Sequence, residues 1–196
     1  MNNTKINTRN IVTSAMLSAV AFILMYLEFP IPVMPPFIKF DFSDLPALIG
    51  AFALGPVFGI VIELIKNLLH LMFSQSMFVG ELSNFILGAV FTFTAGFIYK
   101  KNKTKKMAII AGSVGAVAMG LLSIVSNYFI VYPVYYNFMP KEAILQAYQL
   151  IVPAMKSILQ CLICFNLPFT IVKGLISVVI AMLVYKPLSP ILKGKN

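Results

Sequence analysis

Long apolar runs, broken by short clusters of lysine, restrict the folding of this chain more than any other feature. Of its 196 residues, 60% are hydrophobic and only 11% are charged, and the mean hydropathy is +0.92. A soluble domain carries about 25% charged residues, so this chain has too few to cover a surface facing water. Its solvent is largely lipid. A bilayer core about 30 Å thick takes roughly 20 apolar residues per helix, which leaves room for about six crossings and short loops. The expected fold class is all-α, an integral membrane six-helix bundle, with residues 1–196 forming a single transmembrane domain.

The placement of charge orients the bundle. Against a net charge of +9 there are only six acids. The positives gather at Lys5 and Arg9, at Lys100, Lys101, Lys103, Lys105 and Lys106, and at Lys186, Lys193 and Lys195, each cluster bordering an apolar run. Glu28, Asp41, Asp44, Glu81 and Glu142 lie in or beside the other loops. Lysine and arginine mark the cytoplasmic side of membrane proteins, so both the N-terminus and the C-terminus are expected in the cytoplasm of a plasma-membrane protein. These clusters suit anionic lipid headgroups rather than nucleic acid. The first apolar run follows Lys5 and Arg9 as a signal peptide would. Pro30, Pro32, Pro35 and Pro36 then stand where a cleavage site would need small residues, so the run reads as a membrane helix.

The apolar runs and their breakers predict helices at about 10–27, 44–54, 57–73, 82–99, 107–132 and 152–185. Asp44 is the expected N-cap of the second, and Gly55-Pro56 the turn into the third. One kinked helix in place of these two would leave an odd number of crossings and put the Lys100–Lys106 cluster outside, against the charge rule. The four-proline segment 29–43 blocks helix and keeps apolar members, so it should fold over the bundle as a cap. A longer loop is expected at 133–150. The last helix should bend near Pro168 and end at Pro187 and Pro190. In the first helix, Ala15 and Ala19 stand four apart and make a flat stripe on which another helix can pack in lipid.

Polar side chains within membrane helices are costly and each is a functional candidate. Asn166, Thr170 and Lys173 fall at i, i+4 and i+7, on one face of the last helix. Lys173 is far from either end of its run, so this face must look into protein or a wet cavity. Asn127, with Ser126, Tyr128 and Tyr132, lies near the loop end of the fifth helix. Glu63, Lys66, Asn67 and His70 share helical spacing and read as an internal ion pair with a satisfied histidine. The alternative is an acid–base set of Glu63, Lys66 and His70 in a membrane enzyme. Cys161 and Cys164 form a C-x-x-C inside an apolar run and read as small helix residues rather than a metal or redox pair. The phosphate loop, H-E-x-x-H and G-x-S-x-G are missing. Together these features describe a small-molecule capture site suited to a planar ligand with hydrogen-bonding edges.

Six segments in order carry a family resemblance. They are Lys39-Phe-Asp-Phe-Ser-Asp-Leu-Pro-Ala-Leu48, Gly55-Pro56, Glu63-Leu-Ile-Lys-Asn-Leu-Leu-His70, Gly80-Glu-Leu-Ser-Asn84, Asn127-Tyr-Phe-Ile-Val-Tyr-Pro-Val-Tyr135 and Leu167-Pro-Phe-Thr-Ile-Val-Lys-Gly174. The chain resembles the riboflavin-specific substrate-binding (S) component of energy-coupling factor (ECF) transporters. That resemblance implies a non-enzymatic subunit without a cofactor of its own. It would capture riboflavin from outside and work with a transmembrane coupling (T) subunit and two ATPase subunits. It places Asn127, Thr170 and Lys173 at ligand-binding positions. Thr170 stands where the family often has Asn, with Asn166 positioned to compensate. Tyr128, Tyr132 and Phe40 complete the expected site, and Ala15 and Ala19 match the family's docking stripe. An S component for another vitamin, such as thiamine or pantothenate, is the nearest alternative.

Overall fold

Apolar side chains turned outward identify the solvent of this bundle. In the computed structural model, which describes residues 8–193 and side chains to residue 184, the first helix, α1 (Thr8–Tyr26), buries Ser14, Ser18, Ala21 and Met25 along one face. Ile11, Met16, Val20 and Ile23 are exposed on the other. Both serine hydroxyls donate back into their own helix, to the carbonyls of Ile11 and Ser14, so neither adds an unmet donor.

After α1, Phe29–Pro30 (β1) and Lys39–Phe40 (β2) pair antiparallel, Phe29 opposite Phe40. The proline segment is thus a pinned hairpin, and the all-α expectation is amended by this one short ladder. Lys39 clamps its base through an ion pair to Glu28 at 2.6 Å. Next come α2 (Asp44–Ala53) and α3 (Pro56–His70). The turn between them places Gly55 at φ +119°, a conformation open to glycine, and Pro56 begins α3, where its missing N–H costs nothing. Ser43, not Asp44, is the N-cap of α2, and it makes no side-chain cap bond. The Asp44 carboxylate is drawn instead to a buried lysine.

The remaining elements are α4 (Val79–Lys101), α5 (Lys105–Ser126), α6 (Tyr132–Tyr135), α7 (Lys141–Gln149), α8 (Ile158–Cys161) and α9 (Leu167–Lys193). The segment expected as a long loop therefore holds α7. The last helical region begins at Ile158 rather than near 152. Pro153 disfavours helix before it, and the Ser157 hydroxyl caps the new start by accepting from the Gln160 N–H. At its other end α9 continues through Pro187 and Pro190 to Lys193, past the expected stop. Proline removes a donor but holds φ near the helical value. Lys5 and Lys195 lie outside the described residues, as do the side chains of Lys186 and Lys193.

Among the described residues, five helical stretches are long and apolar enough to cross a membrane: Thr8–Tyr26, Pro56–Phe73, Val79–Lys101, Lys105–Tyr135 and Ile158–Val184. The sixth expected crossing, α2, has only ten residues, about 15 Å of helix or roughly half a bilayer core. It is also buried on nearly every side, Leu48, Ile49 and Phe52 joining Phe91, Tyr99, Met119 and Val178 in the larger core. A second apolar cluster, built from Val131, Tyr132, Tyr148, Ile158 and Leu162, fills the loop end of the bundle.

Close helix approach depends on small residues, as expected where lipid offers no hydrophobic drive between helices. At Gly59 a Cβ would lie 2.8 Å from both Ala51 Cβ and Thr92 Cβ, so α2, α3 and α4 meet there. Gly59→Val should destabilise the bundle by about 1–3 kcal/mol through overpacking. A lowered unfolding midpoint of detergent-purified protein would register it, and an unchanged midpoint would show that the three helices do not meet this closely.

Candidate ligand-binding site

Five ionisable groups are buried inside the bundle, three of them (Asp41, Asp44 and Lys173) at the wall of a cavity. Lys66 on α3 is fully buried, and its Nζ lies 2.7 Å from Ser43 Oγ, from Asp44 Oδ1 and from Glu63 Oε2. Lys173 on α9 reaches Asp41 Oδ2 at 2.9 Å and Asp44 Oδ2 at 3.3 Å. Asp44 thus bridges two lysines from two helices. Asp41 is held in turn by the Ser43 N–H, which donates to its Oδ1 at 2.8 Å. The Glu63 contact with Lys66 lacks hydrogen-bond alignment, and neither Glu63 oxygen has a hydrogen-bond partner. Gly88 on α4 leaves the room that this carboxylate occupies.

The expected Glu63–Lys66 pair therefore exists, but it belongs to a larger chain of charges that includes Asp41 and Asp44. His70 stands apart from it. Its Nδ1 lies 2.9 Å from Glu81 Oε1 on α4, and Glu81 also accepts from Ser74 and Ser76. The possible Lys66–His70 pairing is not made. Cys161 is buried in the loop-end cluster while Cys164 faces outward.

Above the charges opens a cavity of about 460 Å³, within the range that accommodates small ligands. Asn127, Tyr132, Asn166, Thr170 and Lys173 all line it. Phe37, Ile38 and Lys39 of the hairpin form part of its wall, so the proline segment does cover the bundle here. Asn84 and Ser83 of α4 enter as well. Two of the expected residues are elsewhere. Tyr128 is 44% exposed and packs on Phe129, away from the cavity. Phe40 is buried one layer behind, edge-on to the cavity-lining Phe169.

Two local distortions bring the amides inward. Between α5 and α6, residues Asn127–Val131 form a π-turn, and between α8 and α9 so do Leu162–Asn166. Each is followed directly by a residue and then a proline, Tyr132-Pro133 and Leu167-Pro168. A proline ring clashes with the carbonyl one turn back and cannot donate to it, and a widened turn relieves that conflict. Asn127 opens the first π-turn and Asn166 closes the second. Both amides use their oxygens within the protein: Asn127 Oδ1 accepts from Ser83 Oγ at 3.2 Å and Asn166 Oδ1 from the Tyr148 hydroxyl at 2.6 Å. Burial pushes the Tyr148 phenol well above its ordinary pKa, so this proton stays available to donate. The Asn166 amide also lies within hydrogen-bonding reach of the Tyr132 hydroxyl. Thr170 and Lys173 add a hydroxyl and a cation on the next turns of α9.

Sequence reasoning missed Asp41 and Asp44, although a buried lysine requires a counter-charge and the chain has only six acids to supply it. It also passed over Ser83 and Tyr148, whose hydroxyls come from separate elements.

A family model for the ECF transporter substrate-specific component matches residues 9–185. The chain belongs to the ECF transporter S components. It is 35% identical over 185 residues to the riboflavin transporter RibU of Staphylococcus aureus (strain TCH60), a match covering 94% of this chain and 93% of that relative. Its identity to the riboflavin transporter FmnP of Bacillus subtilis (strain 168) is also 35%, covering 93% of each. A solved S component of a bacterial ECF transporter superposes with a TM-score of 0.73 at 35% identity, covering 94% of this chain and 97% of that one. This S component is a multi-pass membrane protein and a substrate-binding subunit, not an enzyme. The enzyme alternative built on Glu63, Lys66 and His70 is set aside on that ground.

Among the described residues, Lys66→Met should remove the only cation paired with Glu63 and one of two paired with Asp44. Breaking a buried pair from one side costs about 3–5 kcal/mol. Unfolding of the detergent-purified S component should shift accordingly, whereas near-wild-type stability would mean the charge chain is not sealed from water.

Proposed function

We propose that this S component captures riboflavin from outside the cell and holds it in the cavity beneath the hairpin. The observation that carries this reading is the convergence of Asn127, Asn166, Thr170 and Lys173 on one cavity of about 460 Å³. The names of the S. aureus and B. subtilis relatives supply the ligand. Riboflavin joins a planar ring system to a hydroxylated chain. Aromatic walls such as Tyr132 and Phe169 suit the plane, and amide and hydroxyl groups suit the edges. Lys173, held by Asp41, makes a fixed donor rather than a free cation. Tyr128 and Phe40 belong to the surroundings in this reading.

The bundle is taken to span the membrane with both termini in the cytoplasm, α2 leading the chain inward and α3 leading it back outward. The lysine end of the bundle then faces inward and the cavity outward. Uptake would require a T subunit and two ATPases, since this chain carries no phosphate loop. Ala15 and Ala19 are exposed on α1 while their neighbours Ser14 and Ser18 are buried. That outward stripe suits docking on the T subunit.

Purified protein should carry a bound flavin and its visible absorption. Asn127→Ala and Thr170→Ala should each weaken riboflavin binding by roughly two- to tenfold, about 0.5–1.5 kcal/mol, in a fluorescence titration. Unchanged affinity in both would sink the site, and a colourless protein that binds thiamine or pantothenate would reassign the ligand.

Ala15→Trp or Ala19→Trp should leave riboflavin binding intact yet abolish uptake by cells that supply the partner subunits. Normal uptake by both variants would show that the stripe faces lipid alone.

A further inference from the structure

Two serines between α3 and α4 have protons to give toward the cavity wall. Ser74 Oγ accepts from the Phe78 N–H at 3.0 Å and Ser76 Oγ from the Gly80 N–H at 2.9 Å. Each hydroxyl keeps its own proton for another acceptor, and both donate to Glu81 Oε2 at 2.9 Å. His70 Nδ1 meets the other oxygen, Oε1, at 2.9 Å. Glu81 also stands in the first turn of α4, where the aligned backbone favours an anion. Hydroxyls, an imidazole and the start of a helix are a donor set suited to a phosphate. Here the protein's own carboxylate fills it, buried on the cavity wall. The rest of the wall offers no cation to offset that charge. Glu28, Asp41, Asp44 and Glu81 line the cavity against Lys39 and Lys173. Lys39 is paired with Glu28 at 2.6 Å and Lys173 with Asp41 at 2.9 Å. Among the described residues, every lysine on the wall thus has a carboxylate partner already.

We infer that Glu81 is a specificity-determining residue, an internal anion that occupies the phosphate-type donors of the cavity wall and so admits a flavin with an uncharged side chain while refusing its 5′-phosphorylated form. This rests on the riboflavin reading above and adds what the site excludes. A phosphate monoester carries about −1.5 to −2 charge at pH 7. The foot of the cavity is closed by the buried chain of Asp41, Asp44 and Lys173, so a group added to the ligand is accommodated toward the loop end. Glu81, at the start of α4, and Glu28, just past the end of α1, line the cavity there. The phosphate would meet two carboxylates and no free cation. Like charges facing each other in a site shielded from water repel strongly, and salt screens a buried pair poorly. A hydroxyl at the same place suffers no such penalty, because a carboxylate accepts from it.

The test compares riboflavin, riboflavin 5′-phosphate and riboflavin 5′-acetate, an uncharged ester, on full-length protein in detergent freed of bound flavin. Wild-type protein should bind the phosphate roughly hundredfold more weakly than riboflavin, and the acetate within roughly tenfold of it. Equal loss of both esters would make the exclusion steric and overturn the inference, as would a phosphate bound as tightly as riboflavin. Glu81→Gln should narrow the gap between phosphate and riboflavin by roughly tenfold. Glu81→Asp keeps the charge and should leave the gap wide. The ratio of affinities is the readout, because a role confined to holding the start of α4 would lower both affinities together. An unchanged ratio in Glu81→Gln would overturn the inference while leaving riboflavin capture standing. So would the same narrowing in Glu142→Gln, an exposed acid on α7 outside the cavity wall. If Glu81→Gln does not fold, the two esters on wild-type protein decide alone. A wild-type protein that binds none of the three ligands would overturn both readings together.

Discussion

A lysine inside an apolar bundle stays charged only with a carboxylate beside it, and here one carboxylate serves two lysines. Asp44 stands between Lys66 of α3 and Lys173 of α9, with Asp41 and Glu63 at the ends of the chain. Each ion costs several kcal/mol to bury, and the attraction returns that only where the geometry is good. The consequence is positional. Asp41 and Asp44 flank the junction of hairpin and α2, so the charges pin hairpin, α2, α3 and α9 to one another at the foot of the cavity. Asp44 also sits in the first turn of α2, where the helix dipole favours a negative charge.

The polar lining is placed by a second constraint, the pairing of a π-turn with a following proline. It occurs twice, on the two helical segments that line the cavity with amides. In a regular helix Asn127 and Asn166 would keep to the 3.6-residue period of their neighbours. The widened turn shifts that register by about one residue and lets a proline follow without breaking the segment. Hydroxyls from other elements, Ser83 and Tyr148, then take the amide oxygens.

Much of this was legible beforehand. The apolar runs located every long helix, because lipid demands continuous internally bonded segments. Thr170, Lys173 and Asn166 were readable as one face because helical spacing survives folding. Asp44 was misread as a cap, since an acid before an apolar run looks the same whether it serves the helix end or a lysine 22 residues away. Tyr128 was placed in the site by adjacency to Asn127, yet a one-residue step on a helix is a turn of about 100°, and it faces outward. The stretch expected as a loop contains α7, whose apolar face, Ile144 and Tyr148, is buried in the loop-end cluster.

The sequence by itself determined the solvent, the course of the long helices and which polar residues within them are costly. These follow from composition and from periodicities of a few residues, which act locally. Only the tertiary structure decided which charges meet and which hydroxyls reach each amide. Lys173 and Asp41 are separated by 132 positions and Ser83 and Asn127 by 44. No local pattern carries such a pairing, because it arises where separate helices pack and a buried polar group must find whatever partner that packing brings.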